Sequence, residues 1–303
     1  MKASVYIIGL LASAAAAIPT PTLVKRAEPS SYPGPGYACQ NEMLYLNFDM
    51  SNEDDVRKVK KIHDAYCDDL GRLIVMGHGA TKNDETIFHR FFNEGDEEVV
   101  ASVYELLSDL TPTLIVDNED FGRKCEVQGD ILLGYTGWTR DGDGLEKTHF
   151  CNSAFDKPSL ESISCETLEA YPSNAMNSFA LTMLHEFTHF EAVGHNSQVG
   201  SWVDDFTNLD GKGTYGAARA HALKDERPDS VTSSAENYAW LATNMFFAIK
   251  CNKPFDDPPP YPGQPGSNPD QDDDNEDDDG EDNEDDDDDG GEEDSDSCSA
   301  EVD

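Results

Sequence analysis

The chain has 303 residues, 62 of them acidic and 21 basic, for a formal net charge of −41. So acidic a chain excludes nucleic acid and an anionic membrane surface as expected partners. The charge is uneven: residues 252–303 hold 24 Asp and Glu against one Lys, and residues 27–251 still carry −21.

The N-terminus reads as an export signal. Met1-Lys2 precedes the apolar run Val5 to Ala12, and Ala14 to Ala17 supply small residues for cleavage. Residues 1–17 are therefore assigned as a signal peptide, too short to span a bilayer. Lys25-Arg26 resembles the dibasic site of kexin-like processing proteases, which makes residues 18–26 a short propeptide and Ala27 the mature start. No later segment is apolar and long enough to cross a membrane, so the expected localisation is extracellular. Cysteines stand at 39, 67, 125, 151, 165, 251 and 298. In a secreted chain the six in the body predict up to three disulfides, and Cys298 is the odd one.

Pro29 to Gly36 reads as a loop. Val56, Val59, Ile62, Tyr66 and Leu70 fall at helical spacing and predict a helix over Asn52 to Leu70. Thr86 to Phe92 and Glu97 to Leu107 predict two more. His63, His78 and His89 have no partner at ligand spacing and read as structural or surface residues. Short apolar runs predict strands at Thr113–Val116, Ile131–Tyr135 and Lys147–Cys151. The third lies shortly before the helix described next, where an edge strand would line a substrate cleft, and His149 is a candidate to face it. Asp141 to Gly144 reads as a solvated turn. Pro254 to Pro269 reads as a linker. Asp270 to Asp296 contains no apolar residue and is expected to be disordered. The domain division is thus 27–252 for the folded body and 253–303 for linker and acidic tail. The tail reads as a solubilising polyanion, with weak capture of cations or basic surfaces as the sharper reading.

Leu184-His185-Glu186-Phe187-Thr188-His189-Phe190 carries the chemistry. It continues an apolar, helix-like run from Ser178. On a helix, residues i and i+4 share a face, so His185 and His189 can present two imidazoles to one metal ion. Glu186 can then act as general base on a metal-activated water. Two neutral His, one further protein ligand and one open position suit a single Zn2+ per chain. The apolar flanks imply burial, and buried His and Glu need partners.

The third ligand has several candidates. His195 falls where a metzincin places its last His, but Ala192 stands where that pattern wants Gly, and no Met-turn follows. Asp204, Asp205 and Asp210 are the others. Ser201-Trp202-Val203-Asp204-Asp205-Phe206, then Gly213-Thr214-Tyr215-Gly216, then Ser234-Ala235-Glu236-Asn237-Tyr238 follow the motif. Together with it they resemble the aspzincins, the deuterolysin-like and lysine-specific metalloendopeptidases common among fungi, over about residues 85–251. The family's tight form G-T-x-D-x-x-Y-G is broken here, because Lys212 stands where its Asp would be. Among the Asp candidates Asp205 is favoured.

The resemblance implies an α+β, zincin-like fold, mainly helical with a small sheet beside the H-E-x-x-H helix. It implies a zinc metalloendopeptidase acting on protein or peptide substrates, with ligands His185, His189 and Asp205, base Glu186, and Tyr215 as hydrogen-bond donor to the oxyanion. Asn237 and Tyr238 would buttress the active helix. A monomer is expected. The rival reading is a catalytically inactive secreted binding protein that keeps the fold and acts through its tail.

Overall fold

A computed structural model describes residues 43–109, 114–122, 124–125, 132–138, 145–262 and 264. The assigned signal peptide and propeptide, the Asp141–Gly144 turn, and the acidic tail lie outside the described residues.

The described chain is mixed α and β, with eight helices and one four-stranded sheet. Strand β1 (Leu44–Leu46) precedes α1 (Glu53–Asp64). Asn52 caps α1 by accepting the Asp54 N–H, and the acidic first turn suits the positive end of the helix. The helical run does not stop at Leu70 as the spacing predicts. It passes through a π-helical turn (Ala65–Leu70) into α2 (Gly71–Asn83). Gly71, Gly77 and Gly79 lower helix propensity and hide this continuation. Gly77 is there for packing: a Cβ at that position would lie 2.1 Å from the ring of Tyr104.

Helices α3 (Glu85–Phe91) and α4 (Glu97–Asp109) follow, then β2 (Ile115–Asp117), β3 (Gly134–Trp138) and β4 (Glu146–Phe150). The sheet order is β1-β2-β4-β3, with β1, β2 and β4 parallel and β3 antiparallel to β4. The strand predicted at Lys147–Cys151 is therefore internal, and β3 is the edge strand beside it. His149 is buried, with Nδ1 2.9 Å from the Asp117 carbonyl, so β4 turns it toward β2.

After short 3-10 turns come α5 (Phe179–Thr188), α6 (Glu191–Asn196), α7 (Ala217–Glu226) and α8 (Ala235–Cys251). α2 packs against α4 and α8, and α5 against α8. The core they share is aromatic: Phe88, Phe92, Tyr104, Phe179, Phe187, Tyr238, Trp240 and Phe247 are all essentially inaccessible. Disulfides join Cys125 to Cys151 and Cys165 to Cys251, and Cys67 is disulfide-bonded as well. Among the described residues no helix is long and apolar enough to cross a membrane. Together with the disulfides this is consistent with an extracellular protein.

Residues 253–262, read from their prolines as the start of a linker, pack on the domain instead. Phe255 and Tyr261 are buried. The buried Arg90 guanidinium donates to Asp257 (2.8 Å), to the Phe255 carbonyl (2.6 Å) and to Asn244. Tyr261 donates to Glu226 at 2.6 Å and lies under Arg219. Proline lacks an N–H and so leaves no donor unsatisfied in such an extended strap. The two aromatics supply the burial that composition alone conceals.

Candidate metal centre

Ser178 starts α5 by accepting the Leu181 N–H on its hydroxyl at 3.1 Å. Every residue from Phe179 to Thr188 is buried, including His185 and Glu186. The helix ends at His189, and Phe190 takes an extended ψ of 131° that starts the return of the chain. Gly194 makes the return close: a Cβ there would lie 2.3 Å from the Ser201 carbonyl. Segment 201–205 therefore runs back against α6, and the Val203 carbonyl accepts from His189 Nδ1 at 2.8 Å.

Asp204 is pinned to the start of α8 on both sides, its N–H donating to Ser233 and its carbonyl accepting from Ala235. That anchor delivers the next side chain, Asp205, to the histidines. His185 Nε2 lies 3.2 Å from His189 Nε2 and 3.1 Å from Asp205 Oδ1, and His189 Nε2 lies 3.6 Å from the same oxygen. These three donors are grouped closely enough to hold a metal ion. Ligands held at about 2.0–2.1 Å around a tetrahedral zinc stand about 3.3–3.4 Å apart. The three separations bracket that value, so the residues fit such an ion in donor type and in size.

The other candidates lie elsewhere. Asp204 turns its carboxylate to the Asp205 N–H at 2.8 Å. Asp210 makes a bidentate pair with Arg219 at 3.0 and 2.9 Å. His195 is exposed at the end of α6 and packs edge-on against Trp202.

Glu186 lies between α5 and the edge strand β3. Its Oε2 accepts from the Thr136 hydroxyl at 3.2 Å, and that hydroxyl also reaches the Glu186 carbonyl at 2.9 Å. Burial raises the Glu186 carboxyl above its usual range, against the pull of the two histidines. Burial would by itself raise Asp205 too, but His185, by charge and hydrogen bond, and His189 together hold it well below the carboxylate range. The histidines move the opposite way: burial lowers both, but Asp205 raises both, with Glu236 adding to the rise at His185.

Tyr215 stands ten positions after Asp205, yet its hydroxyl donates to Asp205 Oδ2 at 3.0 Å. A small hairpin closes the gap. Thr207 bridges Gly213, and the Thr214 N–H donates to the Phe206 carbonyl. The hairpin thus brings together what the linear spacing holds apart. The Tyr215 ring stands half-exposed at the mouth of the site. Burial of its hydroxyl, with Asp205 beside it, pushes the phenol above its usual range.

Asn237 and Tyr238 direct their side-chain hydrogen bonds to elements other than α5. Asn237 donates to the carbonyls of Phe91 and Ala220, and Tyr238 donates to Thr232. Their neighbour Glu236 contacts the active helix, its Oε2 lying 2.8 Å from His185 Nδ1. The sequence does carry a signal for it: a lone carboxylate in the apolar run Ala235 to Trp240 needs a buried partner. Glu146 was also unforeseen. Both its oxygens accept the Glu191 N–H and start α6, and burial raises its carboxyl to about 7.

No protein-family profile, curated protein or solved structure matches this chain.

Proposed function

We propose that the protein is a secreted zinc-dependent endopeptidase with a zincin-like fold. The observation that carries this reading is the triangle of His185, His189 and Asp205, sized for a tetrahedral ion, with Glu186 on the same helix. The meeting of Asp205 with Tyr215 supports the aspzincin resemblance despite the altered spacing.

Zinc held by these three side chains would supply Lewis acidity, lowering the pKa of water and polarising a carbonyl. The chain's own groups do the rest. The edge strand β3, which among the described residues pairs only with β4, offers its other side to an extended peptide backbone. Glu186 takes a proton from the attacking water on its carboxylate and returns it to the leaving amine. Thr136 orients that carboxylate through its hydroxyl. Tyr215, already hydrogen-bonded at the site, donates to the oxygen that gains charge.

Casein hydrolysis by the purified secreted protein tests the reading. Activity is expected to vanish with a zinc chelator and to return on adding zinc. If zinc is bound but none of several protein substrates is cut, the inactive binding-protein reading replaces this one. Tyr215→Phe is expected to lower kcat by roughly 10²- to 10³-fold with zinc content unchanged. A change confined to KM would place Tyr215 in substrate binding instead.

A further inference from the structure

We propose that Glu236 is the positioning residue of this centre, fixing the ring and tautomer of His185 and joining it to the turn that carries Tyr215. The inference rests on the metal reading above and extends it to a carboxylate outside the ligand set.

The geometry is specific to each oxygen. Glu236 Oε2 lies 2.8 Å from His185 Nδ1, an ion-pair contact not aligned as a hydrogen bond, and this buried Nδ1 has no hydrogen-bond partner among the described residues. Glu236 Oε1 accepts the Trp240 indole N–H and the Gly216 N–H, each at 2.7 Å. Trp240 is one helical turn along α8 and fully buried, so it locks the Glu236 rotamer. Gly216 directly follows Tyr215. One buried carboxylate therefore touches the ligand His185 and holds the backbone beside Tyr215, whose hydroxyl faces Asp205.

The chemistry follows from where the proton sits. A carboxylate oxygen 2.8 Å from an otherwise unpartnered Nδ1 favours the proton on that nitrogen, a small turn of the ring completing the bond, and leaves the Nε2 lone pair free toward His189 and Asp205. His189 has the corresponding arrangement with the neutral Val203 carbonyl. A carboxylate makes its imidazole a stronger donor than a carbonyl does. The two ligands are thus unequal, with His185 the more strongly held.

Glu236→Gln isolates this role, because the amide nearly matches the carboxylate in shape. Its one oxygen cannot serve both sides. Turned to Gly216 and Trp240, which together offer two donors, it leaves an NH2 facing His185 Nδ1. The proton must then move to Nε2, where it blocks the metal. Zinc affinity of the full secreted protein would be measured by competition with a chromophoric chelator, for wild type, Glu236→Gln, Trp240→Phe and His185→Ala. Glu236→Gln is expected to weaken zinc by about 10- to 100-fold, and Trp240→Phe by a smaller factor, with thermal midpoints of the metal-free proteins little changed. Nitrogen-15 spectra of zinc-loaded wild type are expected to show His185 protonated at Nδ1. A Glu236→Gln affinity within twofold of wild type, while His185→Ala loses zinc, overturns the positioning role and leaves the metal centre standing. Wild type and His185→Ala equally unable to bind zinc overturns both. If Glu236→Gln does not fold, Trp240→Phe decides: unchanged zinc affinity overturns the role, and a several-fold loss supports it.

Discussion

Glu186→Gln is expected to lower kcat/KM on a fluorogenic peptide by roughly 10²- to 10⁴-fold, the usual contribution of a positioned acid-base group. The side chain is buried, and the burial that raises its carboxyl disfavours the charged form. A neutral amide of the same shape removes that cost and can still accept from Thr136. The fold should therefore be at least as stable as wild type, and zinc content the same. Loss of activity with both preserved would be chemical in origin, because the amide cannot take up the proton. Activity within tenfold of wild type would remove Glu186 from the mechanism and shift the base to another group.

Local rules made part of this site legible in the sequence. His185, Glu186 and His189 fall together on one helix, and the helix itself was visible from its apolar run beginning at Ser178. The strand predictions at Thr113–Val116 and Lys147–Cys151 fell close to the observed strands because short apolar runs mark buried strands well, whereas β3 begins only at Gly134, late in the run predicted at Ile131–Tyr135. Their order was not legible, so Lys147–Cys151 was placed by the cleft when it lies inside the sheet. Order in a sheet depends on pairings between distant segments, and no local pattern encodes those.

The same limit separated Asp205 from its rivals. Asp204, Asp205 and Asp210 are chemically alike, and only the Asp204 anchor on α8 and the Thr207–Gly213 hairpin decide which carboxylate meets the histidines. The strap at 253–262 and the continuation of α1 into α2 misled for the opposite reason. In both, glycine or proline carried a local signal for a break, and packing against distant aromatics overrode it. Glu236 was visible as an anomaly, a carboxylate within an apolar helix, but its partner lies 51 positions earlier in the chain.

Asp205→Ala is expected to weaken zinc by at least about 100-fold, more than loss of a residue that merely supports a ligand, and the protein should lose its metal on dialysis. The reason is twofold. The ion loses one of three protein ligands, and that ligand is the only anionic one of the set, so nothing in it offsets the charge of the ion any longer. His195→Ala should leave zinc stoichiometry at wild-type level, since that ring is exposed and spent on Trp202. Metal content separates these outcomes better than activity does, because Asp205→Ala also frees the Tyr215 hydroxyl and would impair turnover by that route alone. Asp204→Ala serves as a neighbouring control: it removes only a carboxylate that accepts the Asp205 N–H, and zinc should stay bound. If Asp205→Ala keeps its zinc and His195→Ala loses it, the ligand set is that of a metzincin, and segment 201–205 must move to let His195 reach the helix.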